Sequence, residues 1–570
     1  MVSVQDSSLT AARDRPLPAV QRAYFYVVLL VAVHMIVLGV ANLLRVGAEI
    51  ALGAPSGGFT GLPFVFADFN RPREQYREQA SLAIALLLVA VPAWYLHYRA
   101  AAAAARRSLQ ERGSALRSAY LQIVVLVTTL LVFGYGQRVL FLVLQSALVG
   151  NNTFIRLEPS WEARAAGALA MVIAAAAALV FHVRLAAADR ATGALSARAA
   201  DLGHLVRYAM AFIGLGFLTF SFASLLTTLW QQIVFPFPEP SAPPGVPRSI
   251  PPRPGLDEMV RFALVSSLPA IVGGVVLWVA AWFRAEGAVR AGREAAPAVR
   301  RITVYLVIAI SALAVLFSLT SAIALVLARA LGERSTDESL GRDLGSSLPF
   351  AVVFAVVWWY HRRVVEGDAA RETEAARAAG IRRAYYYLIA AIGIAMAAIG
   401  AAGAIGAVGS GWLGLMNHDA RETATWIALV LVGGPAWAFH WRASQRRLDD
   451  DERRSLQRRV YLYLAILGSV AAMLVFGSAL LFNLLKGVLA FRFDLALWHD
   501  LWHFSVDTAV AAVALAWHFR LVRADRAALS ARGPQETYRV TLLVKATDRL
   551  AAQARVAAAL EGQADITVRT

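Results

Sequence analysis

PAWYLHYR at residues 92 to 99 returns almost unchanged as PAWAFHWR at 435 to 442, and each copy closes a long apolar run just before further arginines. Aromatic rings prefer the headgroup zone of a bilayer and arginine snorkels toward lipid phosphates, so this is the exit of a helix from a membrane. The same exit recurs as FHVR at 181 to 184, WWYHRR at 358 to 363 and WHFR at 517 to 520. A sixth copy, AWFR at 281 to 284, has Trp282 where the others carry histidine. Between these exits stand matching openings: RAYFY at 22 to 26, RSAY at 117 to 120, RY at 207 to 208, RRITVY at 300 to 305, RRAYYY at 382 to 387 and RRVYLY at 458 to 463. Openings and exits alternate, so the chain reads as six helical hairpins of common orientation.

Composition agrees. The 570 residues are 58% hydrophobic and 16% charged, far below the roughly 25% charge of a soluble protein. A bilayer core needs about 20 apolar residues per helix. Apolar segments centred near residues 36, 88, 130, 174, 218, 272, 314, 352, 395, 432, 472 and 511 predict twelve spans. The fold class expected is an all-α integral membrane protein. The apolar run from Tyr24 is too long for a signal-peptide core, so the first helix is expected to stay in the membrane. With no cysteine, disulfides, thiolate metal sites, iron-sulfur clusters and thioether-linked haem are excluded.

The net charge of +17 is spread along the chain and not gathered in a basic domain, which argues against nucleic acid. Connections 99–117, 184–207, 284–301, 362–383 and 442–459 hold 27 arginines, whereas the six opposite connections hold 6. By the positive-inside rule the first set and both termini are expected in the cytoplasm of a bacterium, with the protein in its inner membrane. All but Lys486 and Lys545 of the 55 basic residues are arginine, as a GC-rich genome would give.

The expected divisions are an N-terminal segment 1–17, hairpins at 18–110, 111–195, 196–292, 293–370, 371–450 and 451–530, and a tail at 536–570. The third hairpin carries a proline-rich external loop at 236–254, with nine of the 21 prolines. The tail reads as strand, helix, strand, a small cytoplasmic β-α-β unit. About 35 residues cannot bury a core of their own, so it is expected to dock on the loops, on a partner or on a second copy.

The R-x-Y openings, an external arginine-acid pair at Arg77-Glu78, Arg342-Asp343 and Arg421-Glu422, and above all P-A-W-x-x-H-[YW]-R resemble a repeated bacterial membrane domain of unknown function. The resemblance covers nearly all of residues 18 to 528 and implies architecture alone. Carboxylates at helix N-termini have a sufficient cause in capping.

Several side chains are candidates for chemistry. His97, His182, His361, His440 and His518 share one depth, where they serve as interfacial anchors with packing or hydrogen-bonding roles, or converge as ligands or proton carriers. Haem needs histidines that face each other in the apolar region, and only His34 stands well inside a span. His499 and His503 in LWHDLWH lie on one helical face, and Asp500 or the pair His418-Asp419 could complete a divalent-metal site. Polar groups within spans are costly in lipid and point to transport: Asp507, Arg138 beside Gln137, Asn42, Arg45, Asn483 and Lys486. Glycine and proline interruptions at GYG 134–136, GG-P 433–435 and the two SSLP motifs mark either broken helices or close packing.

The expectation is a polytopic, non-enzymatic membrane protein whose partner is the lipid bilayer, in solute or ion permeation or in scaffolding. No cofactor is expected; haem and a divalent metal stand as alternatives. A haem- or quinone-binding redox protein and a sensor that signals through the tail are the rival functions.

Overall fold

A computed structural model describes residues 19–54, 72–149, 161–234, 256–290, 298–333, 340–369, 376–415, 419–446 and 448–531. The N-terminal segment 1–17, the proline-rich loop and the tail 536–570 lie outside the described residues, and with them the β-α-β expectation.

Twelve helices are long and apolar enough to cross a membrane. They are α1 (Ala19–Ala51), α2 (Pro72–Arg107), α3 (Ala115–Leu144), α4 (Trp161–Ala191), α5 (Ala197–Leu229), α6 (Leu256–Arg290), α7 (Ala298–Ala330), α8 (Leu348–Ala369), α9 (Ala376–Trp412), α10 (Ala420–Gln445), α11 (Leu456–Ala490) and α12 (Leu495–Ser530). Among the described residues no strand occurs. The chain is a polytopic membrane protein. Lipid offers the backbone no hydrogen-bond partner, so an apolar run of this length must bond within itself as a helix. Pro92, Pro269 and Pro435 sit inside α2, α6 and α10. Ser114, Ser196, Asp419, Ser455 and Asp494 cap the starts of α3, α5, α10, α11 and α12 with their side-chain oxygens, satisfying amides that would otherwise be orphaned.

Each odd helix packs along the even helix that follows it, giving six hairpins. The hairpins then stack by one rule: every odd helix touches the next odd helix, and every even helix from α4 onward also lies on the odd helix of the preceding hairpin. Every helix pair in extended contact is therefore within one hairpin or between consecutive hairpins. The result is an open row, organised like a solenoid in which each repeat meets only its neighbours.

Small residues let the paired backbones approach, which matters because lipid gives helices no hydrophobic drive to associate. A Cβ added to Gly214 of α5 would lie 2.6 Å from the Trp278 nitrogen of α6, and one on Gly393 of α9 would lie 2.7 Å from the Trp437 nitrogen of α10. Gly433, from the interrupted GG-P motif, is held as closely against Gly393. Outward, large apolar side chains such as Leu88, Leu474, Phe482 and Val513 stay exposed, as a lipid-facing surface requires.

Candidate functional site

The arginine-rich ends of the helices carry a charged cluster that occurs three times. In the first copy, Arg22 of α1 pairs with Glu111 at 2.8 Å, and the Tyr26 hydroxyl donates to the same carboxylate at 2.9 Å. Arg117, at the start of α3, grips Asp189 of α4 through Nε at 2.6 Å and Nη2 at 3.4 Å. Arg117 also lies near Tyr26, which links the two halves.

The copy in α9 to α12 repeats this group by group. Arg383 and Tyr387 meet Glu452 at 2.6 and 2.8 Å, Arg458 donates to the Tyr387 hydroxyl at 3.2 Å, and Arg458 grips Asp525 at 2.6 and 3.1 Å. Local sequence explains the placement. In ERGSALR 111–117 and ERRSLQR 452–458 the glutamate ends in a short capped helix, Leu109–Arg112 or Asp450–Arg454. Ser108 or Asp449 caps that helix through the glutamate amide, and Ser114 or Ser455 caps the next through the arginine amide. The glutamate and the arginine are thus fixed six residues apart across one tight connection.

The middle copy, in α5 to α8, is built differently. Arg300 of α7 holds Asp368 of α8 at 2.8 and 3.2 Å and also reaches Glu286 at 2.6 Å, with Tyr208 nearby. Glu286 lies on α6 itself, where Arg290 pairs with its other oxygen at 2.6 Å. His204 occupies the place of Arg22 and Arg383, four residues before the tyrosine.

Arg300, Arg458 and Glu111 are almost completely buried. A bidentate guanidinium–carboxylate pair is geometrically demanding, and lysine could not replace it. Buried ions are tolerated only when fully paired, so each cluster acts as a lock that fixes two hairpins relative to each other. The arginines and tyrosines belong to the repeated openings of the sequence, and their acidic partners lie outside those openings. A usable signal existed: histidine followed seven residues later by aspartate, at 182 and 189, 361 and 368, and 518 and 525.

The repeated histidines stand one layer deeper and stay within their own hairpins. His182, His361, His440 and His518 are buried, and His97 is partly so. Nδ1 of each lies 2.7 to 2.8 Å from the carbonyl four residues earlier. A carbonyl only accepts, so Nδ1 carries the proton and Nε2 is left to accept. Tyr24, Tyr120, Tyr385 and Tyr461 provide hydroxyls to Nε2 of His97, His182, His440 and His518 at 3.1, 2.7, 3.1 and 3.2 Å. Trp358 and Trp437 of the preceding hairpins donate to Tyr385 and Tyr461, so the bonds run from hairpin to hairpin. Both ring nitrogens of four of the five are thus engaged within the protein.

At the opposite end, Arg45 is buried with Asn42, Glu49 and Gln79, donating to Asn42 at 3.2 Å, to Glu49 at 2.6 Å and to Gln79. Asn483 bonds its own helix at Ala479, Arg138 is exposed over Phe141, and Lys486 is exposed. Asp507 is half-buried in α12 and meets no hydrogen-bond or ion-pair partner among the described residues. His34 bonds the Leu30 carbonyl at 2.7 Å. The rings of His499 and His503 lie 4.4 Å apart, Asp500 is 3.6 Å from His499, and Ser410 bonds His503 at 2.9 Å. Asp419 caps α10, and His418 lies outside the described residues. Among the described residues no three such groups gather as a metal site.

Three stretches of the chain, 22–177, 204–344 and 383–519, match the Domain of unknown function (DUF5671). The chain belongs to this family. No curated protein and no solved structure matches it. The three DUF5671 matches begin four residues before Tyr26, Tyr208 and Tyr387, the tyrosines of the three clusters. Each DUF5671 match thus opens on one charged lock and ends before the aspartate that completes it, Asp189, Asp368 or Asp525.

Proposed function

We propose that the chain is a non-enzymatic scaffold of a bacterial inner membrane, with its arginine-rich end and both termini in the cytoplasm. The open row carries this reading. Units that touch only their neighbours enclose no common axis, but they set neighbouring four-helix units at fixed spacing along the membrane. The charged clusters favour it too, since they spend their ionisable groups on holding hairpins together and leave none poised for reaction. The redox alternative would need ligands other than the repeated histidines, and the sensor alternative rests on residues 536–570.

Permeation is the second reading, favoured by Asp507, a carboxylate within a span and without a partner among the described residues. Proteoliposomes holding the purified chain are expected to dissipate a proton or potassium gradient no faster than empty vesicles. Faster dissipation that Asp507→Asn abolishes would overturn the scaffold in favour of permeation.

A further inference from the structure

Between the second and third hairpins, where the first DUF5671 copy meets the second, α3, α4, α5 and α6 leave a cavity of about 600 Å³. A second cavity of about 300 Å³ adjoins it and shares Gln122, Arg190, Gly203 and Arg207. Arg190, Arg207 and Arg284 line it from three different helices, Arg207 and Arg284 at one level and Arg190 nearer the arginine-rich end. Val125 and Leu179 stand level with Arg207 and Arg284, and Met210 and Leu277 about a turn deeper. Gln122, level with Gly203 and so a turn nearer the arginine-rich end than Arg207, is more than nine-tenths buried and lines both cavities without a hydrogen-bond partner among the described residues. Gly203 borders the passage beside Gln122, where a Cβ would make ordinary contact with the amide nitrogen at 3.7 Å and a larger side chain would enter the cavity.

We infer that this cavity binds one anionic phospholipid of the arginine-side leaflet, with its phosphate at Arg207 and Arg284 and its acyl chains along the apolar wall. Guanidinium groups on two helices beside an apolar wall, in a cavity between membrane-spanning helices, match an amphipathic anion better than a soluble one. A phosphate gains charge-assisted bonds there, and the chains cover surface that would otherwise face a void.

The site is tested by native mass spectrometry of the full chain, released from nanodiscs of equal phosphatidylglycerol and phosphatidylcholine. One phosphatidylglycerol is expected to remain per chain. Arg207→Gln with Arg284→Gln, and separately Gly203→Leu, are expected to lower its retention about tenfold. The first variant removes charge and the second fills space, so they share no route to misfolding. Arg459→Gln with Arg520→Gln, exposed arginines that do not line the cavity, should leave retention unchanged. Equal retention of the two lipids, loss in the control variant, no loss in either cavity variant, or displacement by millimolar inorganic phosphate would each overturn the proposal, the last by making a free anion the ligand.

Discussion

The first and last charged clusters and the middle one reach the same end by different routes. In the outer copies two arginines serve two carboxylates: Arg22 and Arg117 hold Glu111 and Asp189, and Arg383 and Arg458 hold Glu452 and Asp525. In the middle copy Arg300 alone spans Glu286 and Asp368, with Arg290 assisting from a more exposed position. What is kept in all three is the bidentate arginine–aspartate clamp. What varies is how the glutamate is brought to it, by a capped connection outside and by the spanning helix inside. The clamp between the two helices of the even hairpin is therefore the essential part, and the glutamate is its link to the hairpin before.

The largest effect should come from Arg300→Ala. It leaves Asp368 without the arginine that clamps it and Glu286 with Arg290 alone, so a loss of about 3–5 kcal/mol is expected. Arg458→Ala should cost less, because Asp525 keeps Arg453 at 3.7 Å and Glu452 keeps Arg383. Thermal unfolding of the two variants in one detergent gives the order, and a reversed order would break the distinction between the copies.

Glycine packing gives the next effect. Gly393 closes on Trp437 in the last copy, whereas Ala32 and Ala90 are the buried residues at the corresponding positions of α1 and α2. Gly393→Leu is expected to cost about 1–3 kcal/mol, and Gly434→Leu, where a Cβ meets nothing within 4 Å, to cost little. The same melting assay checks both.

A smaller change is expected for Tyr461→Phe, which removes the bonds to His518 and Trp437 at a cost of about 1 kcal/mol. The smallest is His204→Arg, which gives the middle copy the outer pattern and should shift the melting temperature least.

Much of this was legible in the sequence. Span number follows from length and hydropathy, because nothing but a helix satisfies an apolar backbone in lipid. Hairpin phase follows from RAYFY-like openings and W-x-x-H exits. The locks were hidden because Arg117, Arg300 and Arg458 find their aspartates 72, 68 and 67 residues later, a distance over which no periodicity speaks. The open row was hidden for another reason: lipid-facing and helix-facing apolar residues look alike, so hydropathy cannot say whether six hairpins close into a ring. The burial of His182 and His518 follows from the same blindness, since a ring nitrogen bonded to tyrosine and one bathed in headgroups are both written as histidine beside an aromatic.

The open row is the claim on which the scaffold reading rests, and the absence of native cysteine makes it directly measurable. Spin labels on cysteines at Leu88 of α2 and Leu474 of α11, both outward-facing, report the separation of the first and last hairpins by pulsed electron resonance. An open row predicts a separation several times the roughly 8–10 Å between packed helices. A distance of packed neighbours would mean that the row closes on itself, and would contradict the account.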